Sequence, residues 1–273
     1  MSLPWFVNGA GADAIPLDDR GLHYGHGLFE TMRLHGGEIP LWPRHRRRLE
    51  RDAKRLRIPL EIDSAERELA AALSHWPASG VVKLVVTAGR GGAGYRAGAT
   101  APAHRILGFR PLPPPRPELR VRLCAHPLSV NPGLAGIKHL NRLDQVLAAG
   151  ELPEDREGLL GDGFGRLVEG LAGNLFVRIH DRWSTPLLDT AGVRGVMREL
   201  LLEELLPSLG IPVAERTIFS DELAAAEALF LCNAVRGVEP VAAVESLGLE
   251  LDIAPAQAIR GALEECWPFF AGC

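Results

Sequence analysis

Lysine is nearly absent from this chain of 273 residues: three stand at positions 54, 83 and 138, against 27 arginines. Arginine stays protonated at any accessible pH and cannot act as a nucleophilic amine. Lysine loses its proton when desolvated and condenses with carbonyls. A chain with so little lysine has scant use for it as a surface cation. Lys138, inside the apolar stretch Gly136-Ile137-Lys138-His139-Leu140-Asn141-Arg142, is therefore the first residue to examine for chemistry. Cysteine is sparse too. Cys124, Cys232, Cys266 and Cys273 form no CxxC pair and show no metal-ligand spacing, and they read as thiols in a reducing compartment. A basic excess is missing: the formal charge of −4 argues against a general nucleic-acid binder. No run reaches the roughly 18 uninterrupted apolar residues of a membrane span. The N-terminal Met1-Ser2-Leu3-Pro4-Trp5 has no charged region followed by an apolar run, so the expectation is a cytoplasmic protein without membrane partners.

What is present fits a soluble globular chain, with 47% hydrophobic and 23% charged residues and a length for about one to two domains. The first 40 residues read as short strands joined by glycine turns, with Asn8-Gly9 a hairpin signal. Pro43 opens a helix on which Trp42, His45, Leu49, Ala53 and Leu56 recur at helical spacing, and Pro59 ends it. A second helix is expected over about 63–75, capped by Asp63 or Ser64. Val81–Val86 reads as a strand with Arg105–Phe109 beside it. Proline-rich Pro111–Pro117 lacks backbone donors and favours an extended, stiff segment. This gives a small N-terminal α+β domain over residues 1–112, a linker over 113–118 and a larger domain over 119–273. In that larger domain, strands near 120–125, 174–179 and 227–232 alternate with helices near 141–150, 192–206 and 255–266.

Several motifs carry two readings. Gly89-Arg90-Gly91-Gly92-Ala93-Gly94 fits GxGxxG after a strand, but no helical period follows and no acidic residue lies about 20 positions on, so a flexible glycine loop is favoured. Arg44-His45-Arg46-Arg47-Arg48 reads mostly as a solvated helix face, with room for one residue to turn inward to an anion. A non-catalytic protein binding partners or nucleic acid through the basic helix at 44–57 is a further reading, opposed by the net acidity. His23 and His26 lack the additional ligands a metal needs. Asp189 through Met197 looks like a capped helix start whose glycines open backbone N–H groups to an anion. Glu169 sits just before a strand, where a buried carboxylate would hold a pyridine nitrogen protonated. An amine, an anion-binding helix end and a carboxylate are together the parts of a pyridoxal phosphate site.

The stretch Asn131-Pro132-Gly133-Leu134-Ala135-Gly136-Ile137-Lys138-His139-Leu140-Asn141-Arg142-Leu143-Asp144-Gln145-Val146-Leu147 resembles the lysine segment of aminodeoxychorismate lyases, members of the class IV, fold type IV pyridoxal phosphate enzymes. Asp19-Arg20-Gly21 through Thr31, His45 through Leu49, Val168-Glu169 through Phe176, and Ala191 through Arg198 agree with that family in order and spacing. The resemblance implies a two-domain α+β fold type IV enzyme and a homodimer. It also implies cleavage of 4-amino-4-deoxychorismate into 4-aminobenzoate and pyruvate in folate biosynthesis. Lys138 matches the Schiff-base lysine, Glu169 the partner of the pyridine nitrogen, and Arg48 the arginine on the cofactor phosphate. Asn174, Val193 and Arg194 match the phosphate-binding region, and Asn233-Ala234 a second phosphate-side turn. Phe29, Thr31 and Tyr95 fall where the family lines its substrate pocket. Arg90, Arg96 and Arg142 are candidates for the substrate carboxylates by charge and position. The alternative is a class IV aminotransferase acting on D-amino or branched-chain amino acids. Against it, Asn141-Arg142 stands where many such aminotransferases carry a tyrosine.

Overall fold

A computed structural model describes residues 4–91, 94–96, 102–116, 118–154 and 156–272. Gly92 and Ala93 of the glycine loop, Pro117 of the proline segment and Cys273 lie outside the described residues. The chain divides into two compact units. One holds Met1–Pro113 together with Lys138–Asn141, and the other holds Pro114–Ile137 and Arg142–Cys273. The chain thus leaves the second unit for four residues, beginning at Lys138, and then returns to it.

In the first unit, strands β1 (Phe6–Val7), β2 (Ala10–Gly11), β3 (Gly27–Leu34), β4 (Gly80–Thr87) and β5 (His104–Arg110) make an antiparallel sheet in the order β2-β1-β5-β4-β3. Asn8 and Gly9 both take positive φ between β1 and β2, as the hairpin signal implies. The expectation of short strands alone fails in two places. Helix α1 (Arg20–Tyr24) is folded by Asp19, whose carboxylate accepts from Gly21 N at 2.7 Å, and is closed by left-handed Gly25. Strand β3 then runs for eight residues. Its Leu28, Glu30, Met32 and Leu34 are buried, while Phe29 and Thr31 are half-buried on the alternate face.

Helices α2 (Trp42–Arg55) and α3 (Ile62–Leu73) complete this unit. Neither Asp63 nor Ser64 caps α3. The helix starts at Ile62, and those side chains bind Arg46 and Arg67 instead.

In the second unit, β6 (Leu119–Leu123), β7 (Glu157–Gly161), β8 (Leu167–Gly170), β9 (Asn174–Ile179), β10 (Arg182–Pro186), β11 (Val213–Arg216), β12 (Ala228–Asn233), β13 (Gly237–Val244) and β14 (Leu249–Glu250) form a nine-stranded sheet. The order is β11-β10-β9-β12-β13-β6-β7-β8, with β14 beside β13. The pairs β10–β11, β13–β6 and β6–β7 are parallel and the others antiparallel. Leu175, Val177, Leu229, Leu231 and Val241 fill one buried cluster, while Val168, Leu160, Leu188 and Ala191 fill another.

Helices α4 (Leu143–Ala149) and α7 (Ala254–Cys266) lie close to expectation. The helix expected over 192–206 starts later. It runs as α5 (Val196–Leu200), a wider π turn at Leu201–Leu205, and α6 (Leu206–Ser208). Asp189 and Thr190 do not cap it. Gly195 takes the cap position, because the residues before it are drawn into a bridge with Gly136.

Candidate active site

The lysine segment is built onto β3. Phe29 N donates to Lys138 O at 3.0 Å, Leu140 N donates to Gly27 O at 3.0 Å, and Leu28 bridges His139. This edge pairing sets the half-buried Lys138 with its Nζ 4.3 Å from the centroid of the Phe29 ring. The same ring lies 5.3 Å from Lys83 Nζ. Lys83 is the register partner of Thr31 across β3 and β4, so Phe29, Thr31 and Lys83 share the open face of the sheet. Burial, and after it the charge of Arg110, push the Lys83 amine below its usual range.

The opposite face of β3 buries charge. Glu30 is 1% exposed and accepts from Arg48 Nε at 2.8 Å and from His45 Nδ1 at 2.6 Å, and Arg48 Nη2 closes a fork on its second oxygen. Burial alone would raise this carboxyl. The charge of Arg48, then His45, and their hydrogen bonds outweigh it and hold the pKa at about 2. Burial lowers His45 below its ordinary value against the opposing pull of Glu30, and its Nε2 is buried and unpartnered. The basic helix is therefore less solvated than its sequence implies: Arg44, His45 and Arg48 are all buried. Arg48 turns inward because Glu30 occupies a core position of β3 and requires a counter-charge. Glu30 went unnoticed in the sequence. Its signal was the alternation Leu28, Glu30, Met32, Leu34, which sets an acid among core residues.

A second set of groups gathers in the other unit. Glu169 on β8 is 5% exposed. Its Oε2 accepts from Val193 N at 2.8 Å, and its Oε1 lies 3.4 Å from Gln145 Nε2. Gly136 N donates to Gly192 O, and Arg194 N returns a bond to Gly136 O, so the residues leading to Lys138 are fastened to this turn. Asn174 completes it, donating to Val193 O at 2.8 Å and accepting from Gly195 N at 3.1 Å. A Cβ on Gly195 would collide with Asn174 Oδ1, and one on Gly192 would meet Val168 and Leu188. The turn is thus a cradle of backbone that tolerates only glycine at its closest approaches. Its N–H groups at 193–195 are engaged by Glu169, Gly136 and Asn174, where the sequence reading expected them open to an anion.

The remaining candidates are more scattered. Asn233 Oδ1 accepts from Val235 N and Arg236 N, shaping the Asn233-Ala234 turn between β12 and β13. Arg90 is exposed and paired with Asp18, Arg96 is exposed, and the Tyr95 side chain is 89% exposed. Arg142 donates to Ile137 O at 2.8 Å.

Comparison with known proteins decides the family. A family model for class IV aminotransferases matches residues 27–244. The chain belongs to the class IV aminotransferase family. It is 30% identical over 255 residues to an aminodeoxychorismate lyase from Vibrio harveyi, covering 91% of this chain and 94% of that protein. A crystal structure of 4-amino-4-deoxychorismate lyase from Pseudomonas aeruginosa superposes with a TM-score of 0.90 at 38% identity, over 96% of this chain and 99% of that one. A putative branched-chain-amino-acid aminotransferase from Methanocaldococcus jannaschii is 26% identical over 250 residues, covering 86% of each. The α+β architecture is that of fold type IV, as the lysine segment implied. Among the described residues, no helix of this class IV protein is long and apolar enough to cross a membrane.

Proposed function

We propose that this chain is a pyridoxal phosphate-dependent lyase that converts 4-amino-4-deoxychorismate to 4-aminobenzoate and pyruvate. The observation that carries the reading is its similarity, across nearly the whole of both chains, to the lyase from Pseudomonas aeruginosa. The donor set suits the cofactor. Lys138 offers an amine beside an aromatic ring, Glu169 is a buried carboxylate suited to accept from a pyridinium N–H, and the backbone turn at Gly192–Gly195 stands beside it.

Lys138 would carry the cofactor, and Glu169 would keep its ring nitrogen protonated. Arg48, Asn174, the Val193-Arg194 turn and the Asn233-Ala234 turn would hold its phosphate. Pyridoxal phosphate, when bound, supplies the electron sink for a carbanion. The work of this chain's residues is then proton transfer and positioning. Lys138 Nζ, freed when the substrate amine takes its place, would then take the proton from the ring carbon bearing nitrogen. The carbon–oxygen bond to the enolpyruvyl group breaks, enolpyruvate leaves with the electron pair and gains a proton as pyruvate, and the ring becomes aromatic. Phe29, Thr31 and Tyr95 line the substrate site in this reading. Arg90, Arg96 and Arg142 remain candidates for the substrate carboxylates. Lys83 joins them, since it shares a sheet face with Phe29 and Thr31 and has no carboxylate within ion-pair distance among the described residues.

The test is release of 4-aminobenzoate from enzymatically generated substrate without any keto-acid acceptor. The cofactor-loaded wild type should turn over, and Lys138→Ala should fall by at least about 100-fold, the lower end of what a positioned general base contributes. Lys83→Met should raise KM about tenfold, as expected for one lost charge-assisted bond. Release that appears only with an amino-acid donor and a keto acid would make the protein an aminotransferase instead.

The enzyme acts as a cytoplasmic homodimer in this proposal. Leu143, Val146 and Leu147 lie one helical turn apart on α4 and are 67%, 63% and 49% exposed, an apolar stripe suited to a second copy of the chain. Sedimentation at micromolar concentration should give twice the chain mass; a single-chain mass would remove the dimer.

A further inference from the structure

Arg20 is 4% exposed, and among the described residues no carboxylate lies within ion-pair distance of it. Its neighbour Asp19 is fully committed elsewhere, accepting from Gly21 N, Thr87 Oγ1 and His104 Nδ1. Burying a guanidinium without a counter-ion is costly unless neutral acceptors satisfy its N–H groups. Here those acceptors come from one loop. Nη1 donates to Gly94 O at 3.0 Å and Nη2 to Tyr95 O at 2.8 Å, while Nε donates to His26 Nδ1 at 3.3 Å. His26 is held in turn by the carbonyl of Leu56 at 2.8 Å. The guanidinium also lies 4.8 Å from the centroid of the Tyr24 ring, and that ring is 5.6 Å from the ring of Tyr95. Gly91 approaches so closely that a Cβ there would strike Arg20 Cγ and Cδ. Tyr24 and Tyr95 are the only tyrosines in the chain. One buried side chain therefore fixes the main chain of one tyrosine and the ring of the other.

We propose that Arg20 is the positioning residue of the Tyr24–Tyr95 pair, holding Tyr95 in place for the substrate, so that it sets substrate capture and leaves the chemical step alone. The proposal rests on the reading above in one respect, that Tyr95 lines the substrate site. The clamp itself is a matter of geometry. Two parallel bonds from a planar fork to successive carbonyls fix both the position and the direction of the segment. Lysine could supply the charge but not the fork.

The holoenzyme labelled with 3-fluorotyrosine gives one fluorine resonance for each of the two tyrosines, assigned with Tyr24→Phe and Tyr95→Phe. Arg20→Gln should move both resonances and raise KM for 4-aminobenzoate release about tenfold, with kcat within about twofold of wild type. Arg20→Lys should move both resonances as well, and it replaces the glutamine variant if that one does not fold. Adding Tyr95→Ala to Arg20→Gln should cost little beyond Tyr95→Ala alone, since both act through one element. Resonances that stay in place, a loss confined to kcat, or fully additive KM effects would each overturn the clamp. If the loaded wild type releases no 4-aminobenzoate, the lyase reading fails, and the fluorine spectra alone then uphold or overturn the role of Arg20.

Discussion

Both units bury charge, the second with Glu239 against Arg116 and Asp162 against Arg166, but they build their candidate sites in different ways. In the first, acidic side chains are taken into the interior and matched: Glu30 with Arg48 and His45 behind β3, and Asp19 with Thr87 and His104 beside α1. In the second, β12 and β13 are buried almost throughout and largely apolar. The candidate site there is made mainly from backbone, the Gly192–Gly195 turn held by Asn174 and Glu169. The difference teaches where each half is vulnerable. A unit stabilised by buried charge pairs fails when one partner is neutralised. A unit that shapes its site from main chain fails when a side chain is added where none fits.

The strongest test of this contrast is Glu30→Gln, which leaves the Arg48 guanidinium buried without its counter-charge. Breaking a buried pair in this way costs about 3–5 kcal/mol, measured by urea unfolding near neutral pH. Acid should do to the wild type what the substitution does at neutrality. The folded pKa of Glu30, about 2, lies below its ordinary 4.5. Its contribution is therefore fully present above about pH 4.5 and is lost as pH falls through about 2. His45, lowered by burial, acts in the same direction, because charging it in acid adds a second cation beside Arg48. The variant should have a flatter stability profile than wild type across this window. Parallel profiles would mean that the pair does not stabilise this face.

How much of this could be read in advance depended on the distance over which each feature is determined. The lysine segment was legible because scarcity and an apolar setting single out Lys138 within a few residues of chain. The strands Asn174–Ile179 and Ala228–Asn233 announced themselves as apolar runs. Strand β13 did not, because Glu239 and Pro240 interrupt its pattern, and ion pairs with Arg116 and Arg236 make the buried Glu239 tolerable. The start of α5 was misplaced because residues 192–194 are held by Gly136 and Glu169, partners far away in sequence that no local helix signal reveals. Arg20 stood only as part of a matching segment, because its two carbonyl acceptors lie 74 and 75 residues further along the chain.

A smaller effect tests the second unit. Gly195 has φ −72° and ψ 146°, a conformation open to any residue, so backbone strain is not what requires glycine there. Space is. An alanine methyl would displace Asn174 Oδ1, releasing the Gly195 N–H and loosening the bond from Asn174 to Val193 O. Gly195→Ala should therefore cost about 1–3 kcal/mol, the usual price of overpacking, and should weaken pyridoxal phosphate retention on dialysis. Gly261→Ala in α7 is the control, because a Cβ there meets nothing within 4 Å. It should be neutral or stabilise the protein by up to about 1 kcal/mol through helix propensity. If both alanines behave alike in thermal unfolding, the cradle is not held by close backbone packing, and the distinction drawn between the two sites falls.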